Sequence, residues 1–133
     1  MQSCFLKIVT HVNGEKNTVY KRGSIQRKGS AVRFFYEKNG ANVSLEISGK
    51  SVNVVRDGDY SLRLRLKEGE LTVSELGIGG NVGQIKTKTH KITCDIRVEK
   101  CTIALCYSLI FEKEIQEMQL EIVAQVNSNS EEK

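Results

Sequence analysis

Arg56 and Tyr60 flank an Asp57-Gly58-Asp59 turn and are the pair best equipped to hold a ligand. A guanidinium binds a carboxylate or phosphate through parallel N–H donors, and a neighbouring tyrosine adds a hydroxyl and a ring. The structural alternative is that Arg56 bonds Asp57, Asp59 or a strand-end carbonyl and holds the turn itself. The segment Gly77-Ile78-Gly79-Gly80-Asn81-Val82-Gly83 has the glycine density of a phosphate loop. Val82 occupies the third glycine's place, however, and neither a Gly-Lys-Ser/Thr ending nor a following helix is present. A bend or bulge between strands accounts for it, with a cover over a barrel mouth as the functional alternative.

Other reactive types are thin. Cys4, Cys94, Cys101 and Cys106 form no C-x-x-C pair, which removes the zinc ribbon and the thioredoxin-type redox motif. His11 and His90 lie far apart, and the three aspartates, Asp57, Asp59 and Asp95, leave little for a calcium or magnesium cage. No metal and no cofactor is therefore expected. Cys94 and Cys101 read as small core hydrophobes; Cys106 points the other way and would need a nearby histidine to act as a nucleophile. With no G-x-S-x-G and no close carboxylate pair, no catalytic residue is assigned and the reading leans away from an enzyme.

Charge supplies a third candidate. The net charge is +4, but residues 112–133 hold six acids against two lysines, so the first 111 residues carry 18 bases and 10 acids. Lys21, Arg22, Arg27, Lys28 and Arg33 fall within 16–38, a segment of seven bases and one acid, alongside an outward-facing Phe35. Arg63, Arg65, Lys86 and Lys88 extend the supply on other strands. Bases interleaved with stacking rings on a barrel can bind single-stranded nucleic acid. A solvated face explains the same residues, particularly as Arg33 lies opposite Glu46.

The elements that position these residues follow from composition and turns. In 133 residues there are 31 β-branched residues, four alanines, eleven glycines and no proline, which favours strands over a helical bundle. Asn39-Gly40 suits a two-residue type I′ hairpin and pairs Tyr36 with Val43, Phe34 with Leu45 and Val32 with Ile47 on one apolar face. Arg33 and Glu46, and Phe35 and Ser44, share the other face. Ser48-Gly49-Lys50-Ser51 suits a type II′ turn that sets Val52 and Val54 opposite Ile47 and Leu45.

Gly58, read as a left-handed bulge residue, pairs Val54 with Leu62 and Val52 with Leu64, bringing Arg56 and Tyr60 to one end of the core face. Glu68-Gly69 then matches Leu66 with Leu71, Leu64 with Val73 and Lys67 with Glu70. Further on, Ile92, Cys94, Ile96 and Val98 face Tyr107, Leu105, Ile103 and Cys101. Residues 116–126 fit both periods, since Met118, Leu120, Ile122, Ala124 and Val126 alternate while Ile115, Met118, Ile122 and Val126 suit a helix. A strand is predicted there, continuing the meander.

The expected architecture is all-β: one domain over residues 1–126, an up-and-down meander of about eight to ten strands closed into a barrel, with a polar tail at 127–133. No run reaches the roughly eighteen apolar residues of a membrane span, and no export signal is evident at the N-terminus, so a cytoplasmic setting is expected.

Residues 49–126 carry a family resemblance. Gly49-Lys-Ser-Val-Asn-Val-Val-Arg56-Asp-Gly58, Leu71-Thr-Val73, Lys86-Thr-Lys-Thr89, Ile103-Ala-Leu-Cys-Tyr107 and the last amphipathic strand resemble the YwiB-like family of small bacterial proteins. The resemblance implies a calycin-like (lipocalin-like) β-barrel in an intracellular bacterial setting, and brings no activity with it. An aromatic-x-Thr-x-aromatic-Gly run typical of the family is replaced here by Leu76-Gly-Ile-Gly-Gly-Asn81, so no role of those aromatics transfers.

The expected function is a non-enzymatic binding module for a small apolar or amphipathic anion, with Arg56 and Tyr60 at the barrel entrance. The alternatives are single-strand nucleic-acid binding through residues 16–38 and a protein–protein adaptor offering an edge near Gly77–Gly83.

Overall fold

Asn39 and Gly40 both adopt positive φ (52° and 79°), and the hairpin around them has the expected register at every pair, from Val32–Ile47 to Tyr36–Val43. From this hairpin the chain zigzags in both directions. The computed structural model describes residues 1–126; the predicted polar tail lies outside the described residues. Ten strands run in order: β1 Gln2–Val12, β2 Glu15–Lys28, β3 Ala31–Lys38, β4 Ala41–Ser48 and β5 Ser51–Asp57. They continue as β6 Tyr60–Lys67, β7 Leu71–Ile78, β8 Asn81–Ile96, β9 Lys100–Ile110 and β10 Ile115–Val126.

Every strand pairs antiparallel with its chain neighbours, and β1 pairs with β10, closing the barrel. The last segment is a strand throughout, with Met118, Leu120 and Ile122 paired to Tyr107, Leu105 and Ile103. No helix among the described residues is long and apolar enough to cross a membrane.

The turns of β1–β2, β3–β4, β5–β6, β7–β8 and β9–β10 share one end, called here the mouth; the other four turns form the base. Towards the base the interior is filled: Leu6, Ile8, Phe34, Leu45, Ile103 and Ile122 are fully buried. Each such side chain contributes about 1.5–3 kcal/mol relative to exposure.

Three ladders differ from expectation. The β5–β6 register is shifted by two, pairing Val52 with Leu66, Val54 with Leu64 and Arg56 with Leu62. Gly58 does not use a positive φ; it is glycine because a Cβ there would lie 2.6 Å from Ala41 Cβ. The β6–β7 ladder is shifted by one, with Leu62 opposite Leu76, so Leu71 and Val73 face solvent. Ser74 takes the inner place instead, where it accepts from Arg65 N–H at 3.0 Å and from the Thr87 hydroxyl at 3.0 Å. Lys67 and Glu70 do form an ion pair, at 3.5 Å, across the turn.

The third shift is by two on the lower β8–β9 ladder, which pairs Ile92 with Leu105, Cys94 with Ile103 and Ile96 with Cys101. Val98, predicted in the core, is at an exposed turn tip because Arg97 N–H bonds Lys100 O and ends the strand. Above it, a bulge between Thr89 and Lys91 makes His90 the extra residue of β8.

Candidate functional site

At the mouth the packed interior gives way to a cavity of about 290 Å³. Alternation along β3, β4, β5, β6 and β9 sends Tyr36, Lys38, Val43, Val54, Arg56, Leu62, Leu64 and Tyr107 toward it. Its volume is at the lower edge of the range for small-molecule sites, about 300–1,000 Å³. The barrel is thus packed towards the base and hollow under the rim.

Arg56 and Tyr60 do come together here. The guanidinium carbon stands 3.7 Å from the centroid of the Tyr60 ring, a cation–π contact. Its Nη1 donates to Tyr60 O at 2.8 Å and its Nη2 to Asp59 Oδ1 at 2.9 Å, so Arg56 also holds the β5–β6 turn. The hydrogen bond from Arg56 keeps the Asp59 carboxyl below its ordinary range. The guanidinium is largely sheltered, at 16% side-chain exposure, whereas Asp59 points into solvent. Arg56 therefore serves the turn, and three of its five N–H donors remain for other partners.

Two further residues of the rim escape a local reading of the sequence. The Tyr36 and Tyr107 hydroxyls make no hydrogen bond among the described residues, although Tyr107 is only 5% exposed and both line the cavity. Neither oxygen is sealed from solvent, so both hydroxyls open onto the cavity rather than into the packed core. Burial pushes both phenols up to about 12, with Tyr36 adding to the shift of Tyr107, so both remain neutral donors at neutral pH. Lys38 completes the set and forms no ion pair among the described residues. The available signal was two tyrosines on inward positions of β3 and β9, but only the closed barrel brings them to one mouth.

The basic residues of 16–38 do not form one surface. Lys21 pairs with buried Leu6 and turns inward, while Arg22 faces out and stacks 5.0 Å from the Phe5 centroid. Arg27 is spent on the base, donating to Arg97 O at 2.8 Å and Val98 O at 3.2 Å; Lys28 is exposed beside it in sequence. Arg33 is paired with Glu46 at 2.8 Å, as expected. Arg63 and Arg65 lie on the outer wall of β6 and line a groove with Glu46 and Asn53. Lys86 and Lys88 lie on β8, and Lys88 donates to Gly69 O at 3.0 Å. Strand alternation and barrel curvature scatter what was contiguous in sequence.

The Gly77–Gly83 segment is an ordinary hairpin tip: Gly79 and Gly80 have positive φ (57° and 86°), and Gly77 pairs with Val82. It is neither a bulge nor a phosphate loop. β7 is paired on both sides there, and the unpaired edge of this hairpin is β8 over 81–85, above the point where pairing with β9 begins.

One polar cluster was not anticipated. At the β8 bulge, His90 Nε2 lies 2.7 Å from Ser108 Oγ, whose hydroxyl donates to Glu117 Oε1 at 2.6 Å. With the serine proton already given to the carboxylate, His90 acts as donor and cannot serve as its base. The carboxylate sits on the serine rather than behind the imidazole, which is the reverse of a nucleophilic relay. The cluster ties β8, β9 and β10 together, and Glu117 N–H donates to Asn13 Oδ1 at 2.8 Å to include the β1–β2 turn. No group of three metal-ligating side chains occurs among the described residues.

These features define a closed ten-stranded up-and-down barrel, packed towards its base, with a small polar-rimmed cavity at its mouth. The chain belongs to the family described as Domain of unknown function (DUF1934), whose model matches residues 6–122. Its fold is similar to the crystal structure of ywiB protein from Bacillus subtilis, with a TM-score of 0.77 at 19% sequence identity. That match covers 95% of this chain and 92% of the other. No curated protein matches the chain.

Proposed function

We propose that this barrel is a binding module for a small amphipathic anion, a short-chain carboxylate or phosphate ester, held in the mouth cavity. The observation that carries this reading is the pair of tyrosine hydroxyls, Tyr36 and Tyr107, that no protein group engages among the described residues, set beside Lys38 and Arg56 and next to an apolar patch of Val43, Val54, Leu62 and Leu64. Neutral phenols can donate to an anionic head, Lys38 and the free donors of Arg56 supply positive charge, and Leu62, Leu64, Val43 and Val54 receive the apolar part. Arg56 retains its pair with Asp59 throughout, so its contribution is a fixed donor geometry more than a free charge. The calycin-like comparison, with a ligand at the open end of a barrel, belongs to this proposal, as do the cytoplasmic setting and the absence of a cofactor.

Native mass spectrometry of protein purified from cells, with thermal melts in octanoate and octyl phosphate, tests the reading. A retained small molecule, or an upward melting shift that Tyr107→Phe reduces, is the expected result. A homogeneous apo mass with no shift from either amphiphile would overturn it.

A further inference from the structure

The outer wall, remote from the mouth cavity, carries a second surface with its own chemistry. Phe5 on β1 and Tyr20 on β2 project outward at 50% and 73% exposure, far more than a stability role requires. Phe5 pairs with Arg22 and Lys7 with Tyr20, so the two rings lie diagonally across one ladder, about 7–8 Å apart between Cα atoms. Across β2, Phe35 pairs with Ser24 and continues the outward row through Ser44 and Val55 to Arg63. Two grooves occupy this wall, about 380 Å³ beside Phe5 and Tyr20 and about 470 Å³ beside Phe35. Arg22 lines both and joins them.

We infer that this wall binds single-stranded nucleic acid. Rings on neighbouring strands, spaced at about the reach of one nucleotide step, are what successive bases stack on. Lys7, Arg22 and Arg63 flank the rings with positive charge for the phosphates, while Arg33 is neutralised by Glu46 and Asp57 lies at the rim. The charge complementarity favours a polyanion over an apolar protein surface. The surface differs from the sequence-level expectation in its members: Phe5, Lys7 and Tyr20 enter, while Arg27 and Lys28 at the base drop out.

Fluorescence anisotropy with fluorescein-labelled dT12 tests this. Binding at 50 mM salt is expected to weaken with salt at a log–log slope of about −2, the value for three phosphate contacts on a single strand. Phe5→Ala, Tyr20→Ala and Phe35→Ala should each weaken binding by about fivefold or more. Arg22→Ala should weaken it and flatten the slope by about 0.7. Lys86→Ala, which removes an exposed base elsewhere, should change nothing, and thermal melts of each variant confirm that the barrel is intact. No binding at 50 mM salt would overturn the inference. So would binding that Lys86→Ala weakens as much as Arg22→Ala while the ring variants leave it unchanged, which is charge attraction alone. Retention on phosphatidylglycerol vesicles without dT12 binding would overturn it in favour of a membrane surface. None of these results depends on whether the mouth cavity is occupied.

Discussion

Arg27 on β2 donates its guanidinium to the main-chain oxygen of Arg97 in the β8–β9 turn, at 2.8 Å, and reaches Val98 O as well. The turn thus folds over the base and is fastened to a strand three places away around the barrel. Arg27→Ala removes a charged hydrogen bond from carbonyls that water can still reach, so the expected cost is about 1 kcal/mol. For a chain of this size that is a fall in Tm of about 3–5 °C, read by a thermal melt.

Gly58 and Ala41 leave no room for one another. A Cβ on Gly58 would stand 2.6 Å from Ala41 Cβ and 3.0 Å from its Cα. Gly58→Ala should destabilise by about 1–3 kcal/mol through overpacking. Ala41→Gly in the same chain should recover part of that loss, and a double-mutant cycle in urea measures the coupling. Additive effects of the two substitutions would mean that the contact is relieved elsewhere.

Ser74 is wholly buried and serves both Arg65 N–H and the Thr87 hydroxyl. Ser74→Ala strands both donors and should cost about 1–3 kcal/mol. Its neighbour Val73 is half exposed, so Val73→Thr should stay within about 0.5 kcal/mol. Denaturant unfolding of the two variants distinguishes the observed register from the one-residue alternative, which reverses their ranking.

Glu68 accepts from Ile92 N–H at 2.7 Å and lies 3.6 Å from Lys50 Nζ, and the first of these does most to lower its pKa. A carboxylate whose folded value lies below its unfolded one adds stability that is complete above the unfolded value and lost as pH falls through the folded one. Glu68→Gln keeps an acceptor for Ile92 and removes only the charge. Wild type should melt above the variant at pH 7, with the gap closing below about pH 4. A gap that stays constant from pH 7 to pH 3 would show that the charge has no part in it.

Burial pushes the Cys4 thiol up to about 11, with Cys101 adding to the shift. Cys4 should therefore resist iodoacetamide at pH 8 in the folded protein and react fully in urea. Intact-mass measurement over time reads the difference.

The sequence made the β3–β4–β5 region legible because both faces of that hairpin constrain the register: a slip would bury Arg33 and expose Phe34. The later ladders had only one informative face. Gly58 could be read as a residue of unusual φ or as a residue of no size, and the sequence does not distinguish them. Ser74 in the core contradicts hydrophobic alternation, and it is tolerated only because Arg65 and Thr87 satisfy it. Val98 extended an alternating pattern one step beyond its strand. At the candidate site, the meeting of Arg56 and Tyr60 was local and visible, although Asp59 claims part of the guanidinium. Tyr36, Lys38 and Tyr107 are separated in sequence and share a mouth only through closure.

Closure itself determines when this molecule can exist. The ladder that completes the barrel joins β1 to β10, with Cys4 beside Val126, so it must bring together strands more than a hundred residues apart. Until that pair forms, the chain is an open meander with an unsatisfied border at each side. Such long-range pairing is slow. With no proline in the chain, prolyl isomerisation adds no slow step, and it is the long-range closure that turns a sticky ribbon into a ring.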